Sequence, residues 1–457
     1  MKSLFDLLRD NNKIPMHMPG HKRNVELAPY LKRLAADLDI TEIDGFDDLH
    51  NPEGILVESM KRAANFRGAD KAFYLVNGST CGILAGICAV LKDGDKVICA
   101  RNCHKSVYNA LEMVNADVVF IRPEVSEESG ICGSVLPEEI SAELEKNPDC
   151  KLIILTSPTY EGIVSDVKAI CEVAHSAKVP VLVDAAHGAH FGFSGFPDSA
   201  VSCGADIAIE SLHKALPSLT QTAICYVQGQ LVDSNAILEK LAVFETSSPS
   251  YLLMASIDEC MNLLIKKGDI LFENWNNILD SFYKRIKGLK NIGILQGGSE
   301  FFAFDRSKIV ITGNGKKISE LLRDRNIECE MAMPGYAVAM TGVGDTQETL
   351  ACLLNALFEI DKFMNCPEKK YVNPPMSERV MTAKAAKNLP AEHLNYKDSI
   401  GRISAEYVWA YPPGVPIIIP GERVTLEAAK CLSDFEDCGF SLKGGLGRKE
   451  GKILVIK

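Results

Sequence analysis

Between residues 53 and 230 the chain repeats one pattern, a short apolar run followed by a longer stretch of helical character. The apolar runs are Ala72–Val76, Lys96–Ala100, Val118–Ile121, Leu152–Thr156, Val179–Val183, Ile207–Ile209 and Ala223–Val227. Cys81–Leu91, Lys105–Val114, Pro137–Lys146 and Val167–Ala177 read as helices between them. Runs such as LIILT and VPVLVD are continuously apolar rather than alternating. They predict strands covered on both faces, as in a mostly parallel sheet flanked by helices. The fold class expected is therefore α/β, with a large, mostly parallel seven-stranded sheet.

A chain of 457 residues is too long for one compact core, so more than one domain is expected. Residues 231–290 read as mainly helical, including Tyr251–Lys267 and a stretch around Leu271–Lys290. Beyond them short strands and helices alternate, Cys366–Ser377 is rich in charge and proline, and KILVIK closes the chain as a strand. The boundaries expected are an N-terminal segment 1–52, a large domain 53–290 and a smaller C-terminal α+β domain 291–457.

Net charge is −11, and no lysine- or arginine-rich run is present. That argues against a nucleic-acid or anionic-membrane surface. The fifteen cysteines are scattered, many of them in apolar runs, without zinc-like spacing, so buried reduced thiols are expected and no metal site. The N-terminus, MKSLFDLLRDNNK, lacks the apolar core of a signal peptide, and no apolar run is long enough to span a bilayer. The chain is read as cytoplasmic.

Four groups with chemical potential sit where strands end. Val76-Asn77-Gly78-Ser79-Thr80-Cys81-Gly82 follows a strand and opens a helix, which suits an anion such as phosphate but equally a plain helix cap. Arg101-Asn102-Cys103-His104-Lys105-Ser106 puts His104 where its ring can lie on a flat cofactor or merely cap a helix. Asp184 ends VPVLVD and is followed by AAHGAH. A carboxylate there faces the usual ligand crevice and can keep a pyridinium nitrogen protonated; the alternatives are a cap, or a metal ligand beside His187 and His190. Lys214, thirty residues beyond Asp184, follows ADIAIE in Ser211-Leu212-His213-Lys214. Partial desolvation there favours Schiff-base chemistry, although a lone lysine is usually a solvated charge. Phosphate cup, stacking ring, carboxylate and lysine in that order point to pyridoxal 5′-phosphate (PLP).

At these residues the chain resembles the short form of the bacterial ornithine/lysine/arginine decarboxylases, PLP enzymes of the aspartate-aminotransferase fold. The likeness runs through MPGHKRN (Met18–Asn24), EIDGFDDLHNPEGI (Glu42–Ile55), RNCHKS, SPTYEG (Ser157–Gly162), DAAHGAHF, SLHKALPSLTQTA (Ser211–Ala223) and GRISAEYVWAYPPGVPIIIPGE (Gly401–Glu422). The last is the most specific to that family. The Ser79-Thr80 order departs from the more usual Thr-Ser, a conservative exchange of hydroxyls.

The resemblance implies that Lys214 carries PLP, Asp184 pairs with the ring nitrogen, His104 stacks on the ring and His187 lies near its phenolic oxygen. It makes 53–290 the PLP-binding domain and assigns Ser79, Thr80, Cys81, Ser211 and His213 to holding the phosphate or positioning the lysine. Thr246 and Ser248 would reach the phosphate from a neighbouring subunit, so a homodimer or higher homo-oligomer with its active site at the interface is implied. The reaction implied is decarboxylation of a basic L-amino acid, arginine before lysine or ornithine, in polyamine biosynthesis. Asp47, Asp48 and Glu406, with Glu422 behind them, are acceptors for the substrate's distal cation or else structural carboxylates. Cα is reprotonated by Lys214 or His213. Transamination or β-elimination on the same fold would also keep Lys214 and Asp184; the Tyr411–Pro416 segment favours the decarboxylase.

Overall fold

The computed structural model describes residues 2–123, 125–126, 129–298, 300–364, 372, 374–410, 414–445 and 448–457. Tyr411–Pro413 of the family-like segment, and 366–371 and 373 of the charged, proline-rich stretch, lie outside them. In chain order the elements around the site are α1 (Ile55–Arg67), β1 (Lys71–Leu75), α2 (Gly78–Val90), β2 (Lys96–Ala100), α3 (Lys105–Met113), β3 (Asp117–Ile121) and α4 (Pro137–Lys146). They continue with β4 (Leu152–Thr156), α5 (Val167–Ser176), β5 (Val181–Asp184), β6 (Ile207–Ser211), β7 (Ala223–Val227), α6 (Ser234–Phe244) and α7 (Tyr251–Arg285).

The strands run in the order β1-β7-β6-β5 in one part of the chain and β4-β2-β3 in another. β2 runs parallel to β3 and β4, and β5 parallel to β6, whereas β7 is antiparallel to both β6 and β1. The expected large, mostly parallel sheet is thus borne out. Every residue of β5, β6 and β7 is buried, as strands covered on both faces require.

The described chain divides into two compact units, residues 1–90 with 180–273, and residues 91–179 with 274–457. In the first, α2 lies close on the strands because two positions lack a side chain. A Cβ on Gly82 would stand 2.6 Å from Leu75 Cδ1, and one on Gly86 2.9 Å from Leu182 Cδ1. α7 is one helix of 35 residues where the sequence suggested two. Gly268, which falls between those two stretches, is a packing position, where a Cβ would stand 2.8 Å from the Phe193 ring. Phe193 in turn stacks on Phe272 of the same helix, ring centroids 3.8 Å apart.

The second unit holds β2, β3 and β4, and its C-terminal part is α+β. There the strands Gly293–Ile294, Lys308–Thr312, Met331–Met333 and Tyr336–Met340 make an antiparallel sheet with helices Gly315–Arg323 and Gln347–Asp361 nearby in sequence. A separate core of Val408, Ile418, Val424, Leu432, Phe435 and Val455 surrounds helix Leu426–Asp437. The closing strand forms as expected, Lys452–Ile456 against Ala391–Asn395. Among the described residues no helix is long and apolar enough to cross a membrane, and no cluster of histidine, cysteine and carboxylate could hold a metal ion. Many cysteines are buried, and burial pushes the thiols of Cys225, Cys260 and Cys431 up to about 12, as for small hydrophobes.

Candidate active site

In the first unit, two parallel strands end side by side. β5 stops at Asp184 and β6 at Ser211, and in their register Asp184 faces Ile209. The apolar run before Asp184 carries its carboxylate to a place where only 3% of the residue is exposed. One carboxylate oxygen accepts the Ala186 N–H at 3.2 Å. Burial pushes the Asp184 carboxyl above its usual range, against the opposing pull of the Lys214 charge and that N–H.

After Ser211 a single 3-10 turn, Leu212–Lys214, brings the lysine back over the strand ends. The turn is pinned by the Leu212 N–H donating to Thr222 O at 3.1 Å and by His213 Nδ1 at 3.0 Å from the same carbonyl. Lys214 is half-buried, and its Nζ lies 2.9 Å from Nε2 of the buried His187. An ammonium donates to that nitrogen when the imidazole is neutral and carries its proton on Nδ1. The result is an amine fixed in place near a buried carboxylate, the combination covalent catalysis by lysine requires.

The cup lies at the start of α2. Gly78 takes φ +74°, a left-handed turn that turns the chain from β1 into the helix. Ser79 Oγ is 2.8 Å from Ser211 Oγ, so one hydroxyl of the cup meets the residue that ends β6. Thr80 is exposed at the helix start, where first-turn N–H groups face outward. Cys81 points the other way. It is buried, its S–H donates to Gly78 O at 2.9 Å, and burial raises its thiol well above the ordinary value. Beneath the cup, Glu245 accepts the Val76 N–H at 2.8 Å and pins the end of β1. Sequence reasoning missed Glu245; a carboxylate buried directly after an amphipathic helix leaves no local pattern. Thr246 and Ser248 follow it in an exposed loop, with the Ser248 N–H donating to Thr246 Oγ1 at 3.2 Å and the His50 ring 2.8 Å from Thr246 O.

In the second unit His104 is the N-cap of α3. Its Nδ1 accepts the Ser106 N–H at 3.3 Å and sits 2.8 Å from Ser106 Oγ. The family-like C-terminal segment reaches the same loop: the Lys105 N–H donates to Gly414 O at 3.1 Å. Arg101 donates to Pro416 O and Tyr108 Oη at 2.9 Å and to Glu422 Oε2 at 3.2 Å.

The acidic residues named from sequence as acceptors for a distal cation have other partners here. Asp47 accepts backbone N–H groups from Asp48, Glu53, Gly54 and Leu56, and so caps α1. Glu406 is buried and takes Leu454 N–H at 2.8 Å, Gly445 N–H at 3.2 Å and the Arg448 guanidinium at 3.4 Å. Glu422 is held by Arg101 and the Ile419 N–H. Asp48 is half-buried, with one oxygen accepting the His50 N–H at 2.8 Å.

Residues 2–313 match the family model described as Orn/Lys/Arg decarboxylase, major domain, and residues 365–438 the one described as Orn/Lys/Arg decarboxylase, C-terminal domain. The arginine decarboxylase of Bacillus subtilis is 34% identical over 464 residues, 97% of this chain and 95% of its own. That of Halalkalibacterium halodurans is 33% identical, covering 98% and 95%. Among solved structures, the Francisella novicida lysine decarboxylase LdcF superposes with a TM-score of 0.83 at 17% identity, covering 99% of this chain and 80% of that one.

Proposed function

Because the chain belongs to the Orn/Lys/Arg decarboxylase family, we propose that it removes the α-carboxylate of a basic L-amino acid as CO₂, with PLP carried on Lys214. Arginine is the first substrate, since relatives at 33–34% identity over nearly the whole chain bear the name arginine decarboxylase. The observation that carries the reading is the 2.9 Å approach of Lys214 Nζ to His187 Nε2 beside the buried Asp184.

The donors present fit the cofactor. A phosphate needs hydroxyls and N–H groups at a helix start, and Ser79, Thr80 and Ser211 with the first turn of α2 offer them. A pyridinium needs a carboxylate away from water, and Asp184 is that group. When bound, PLP supplies the electron sink for the pair left at Cα as CO₂ departs.

The chain's own residues do the rest. Asp184 holds a proton on the ring nitrogen, because a cation placed there offsets the cost of ionising a buried carboxyl. His187 fixes the direction of the Lys214 amine. His213, steadied by Thr222 O, and Lys214 are the two groups able to hand a proton to Cα. Cys81 and Glu245 shape the cup from below. The resemblance of RNCHKS alone assigns His104 to stacking on the ring. Resemblance likewise assigns Thr246 and Ser248 to the phosphate of a second subunit, in a cytoplasmic homodimer serving polyamine biosynthesis. It assigns residues 53–290 to the PLP-binding domain as well. Asp48 is the acceptor to test for the distal cation.

The experiment is product identification from PLP-loaded protein given arginine, lysine and ornithine separately. Agmatine formed fastest supports the proposal, and cadaverine or putrescine in its place moves the substrate. No CO₂ from any of the three overturns decarboxylation of basic amino acids.

A further inference from the structure

The strand that delivers Lys214 carries a charge in an otherwise apolar run. Glu210 is the fourth residue of β6, is 1% exposed, and stands immediately before Ser211 and four residues before Lys214. A carboxylate buried on a central strand requires a partner. Its partner is Arg67, the last residue of α1, whose side chain is 7% exposed. Arg67 Nε and Nη2 donate to Glu210 Oε2 at 3.0 and 2.7 Å.

The same guanidinium also grips the loop that follows Asp184. Nη1 donates to Phe191 O at 2.6 Å, and Nη2 donates to Ala189 O. That loop is a chain of turns, with the Gly188 N–H on Ala185 O at 2.8 Å and the Phe191 N–H on Gly188 O at 2.9 Å. His190, fully buried, sets its ring edge-on to Phe191 and Phe196 in the same loop. The planar fork of an arginine can bind a carboxylate and two carbonyls at once; an ammonium cannot reproduce that geometry.

We infer that Arg67 is a positioning residue for the reaction, a buried clamp that holds the loop after Asp184, which bears His187, against β6, which leads through Ser211 into the turn of Lys214. It touches neither substrate nor cofactor. The inference rests on the assignment of Lys214 and Asp184 to PLP. Its reach is specific, because the loop and the strand it joins lead to the two partners of the Lys214–His187 contact. A small shift between them alters the direction of the amine relative to the carboxylate, and misplacement on the scale of 1 Å costs as much as about a hundredfold in rate.

The test compares wild type with Arg67→Lys and Glu210→Gln, and uses Arg62→Lys as a control. Arg62 donates to the buried Asp258 at 2.6 Å in the same unit but touches neither the loop nor the strand. Each protein is checked for fold by circular dichroism. PLP is trapped on Lys214 with borohydride in one sample, while its release rate, followed by absorbance, and kcat and KM are measured on unreduced protein. The clamp predicts that Arg67→Lys folds, releases PLP about tenfold faster or more, and loses about tenfold or more in kcat with KM within about threefold. Arg62→Lys should lose stability while keeping wild-type PLP release. Should Arg67→Lys not fold, Glu210→Gln, which keeps shape and loses charge, carries the same expectation. A wild type that traps no PLP on Lys214 refutes the cofactor assignment, and this inference with it. A wild type that traps it, with folded variants holding PLP and turning over as wild type does, refutes the clamp alone.

Discussion

Lys214 Nζ and His187 Nε2 lie 2.9 Å apart across 27 residues of sequence. The contact joins the ends of two adjacent parallel strands. It converts two separate sequence motifs, DAAHGAHF and SLHK, into a single fixed pair of side chains.

Asp184 should trade stability for activity. Burial raises its carboxyl above the ordinary 3.8, against the pull of Lys214. A carboxyl with a raised folded value binds its proton more tightly folded than unfolded. Its contribution is therefore favourable in acid and is lost as pH rises through the raised value. Above that raised value the ionised group costs the cofactor-free chain stability. Asp184→Asn is expected to raise the cofactor-free Tm, by about 2–4 °C per kcal/mol relieved, and to lower kcat by about a hundredfold or more. Melting curves and turnover check both; a lowered Tm with unchanged kcat would move the ring-nitrogen proton to another group.

Asp47 should matter to α1 and not to substrate. Although burial pushes its carboxyl up, the four backbone N–H donors together bring it below the usual range. Its stabilisation is present above the unfolded value and is lost as pH falls through the folded one. Asp47→Ala should cost about 1–2 kcal/mol, the worth of a lost helix cap, with KM for arginine nearly unchanged. Urea titration and steady-state kinetics decide it, and a KM raised tenfold at native stability would make Asp47 a substrate ligand.

Glu422 is expected to be a stability residue too. Its carboxyl is buried against Arg101, which also holds Pro416 O and Tyr108 Oη. Glu422→Ala leaves that guanidinium buried without its anion, a loss of about 3–5 kcal/mol. Denaturant unfolding should register it as a lower midpoint. An unshifted midpoint would show that Arg101 needs no carboxylate.

Gly82 sets how closely α2 approaches β1. Gly82→Ala puts a methyl 2.6 Å from Leu75 Cδ1, so the cup must shift or Leu75 must move. The expected cost is about 1–3 kcal/mol, together with weaker PLP retention measured by dialysis and absorbance. Unaltered retention would mean that Leu75 yields and the cup stays in place.

Much of this architecture is legible in the sequence because parallel strands buried on both faces leave uninterrupted apolar runs. VPVLVD and ADIAIE mark β5 and β6 to within two residues, and the polar residues that end them mark the site. Gly268 misleads because a helix glycine and a helix break look alike in sequence; only the Phe193 ring lying against it tells them apart. Asp47 is hidden in another way. It caps α1 from eight residues before Ile55, through a loop in which it takes φ +70°, and not from the usual capping position. The Arg67–Glu210 pair spans 143 residues, so no local pattern joins its halves. The one available signal is Glu210 itself, a charge where a covered strand should carry none.

The most direct measurement is borohydride reduction of the PLP-incubated protein, followed by mass mapping of the modified peptide, for wild type and Lys214→Ala. A single pyridoxyl adduct on Lys214 is expected in wild type, and neither adduct nor decarboxylation in the variant. An adduct on another lysine, or one that survives in Lys214→Ala, would contradict the assignment of Lys214.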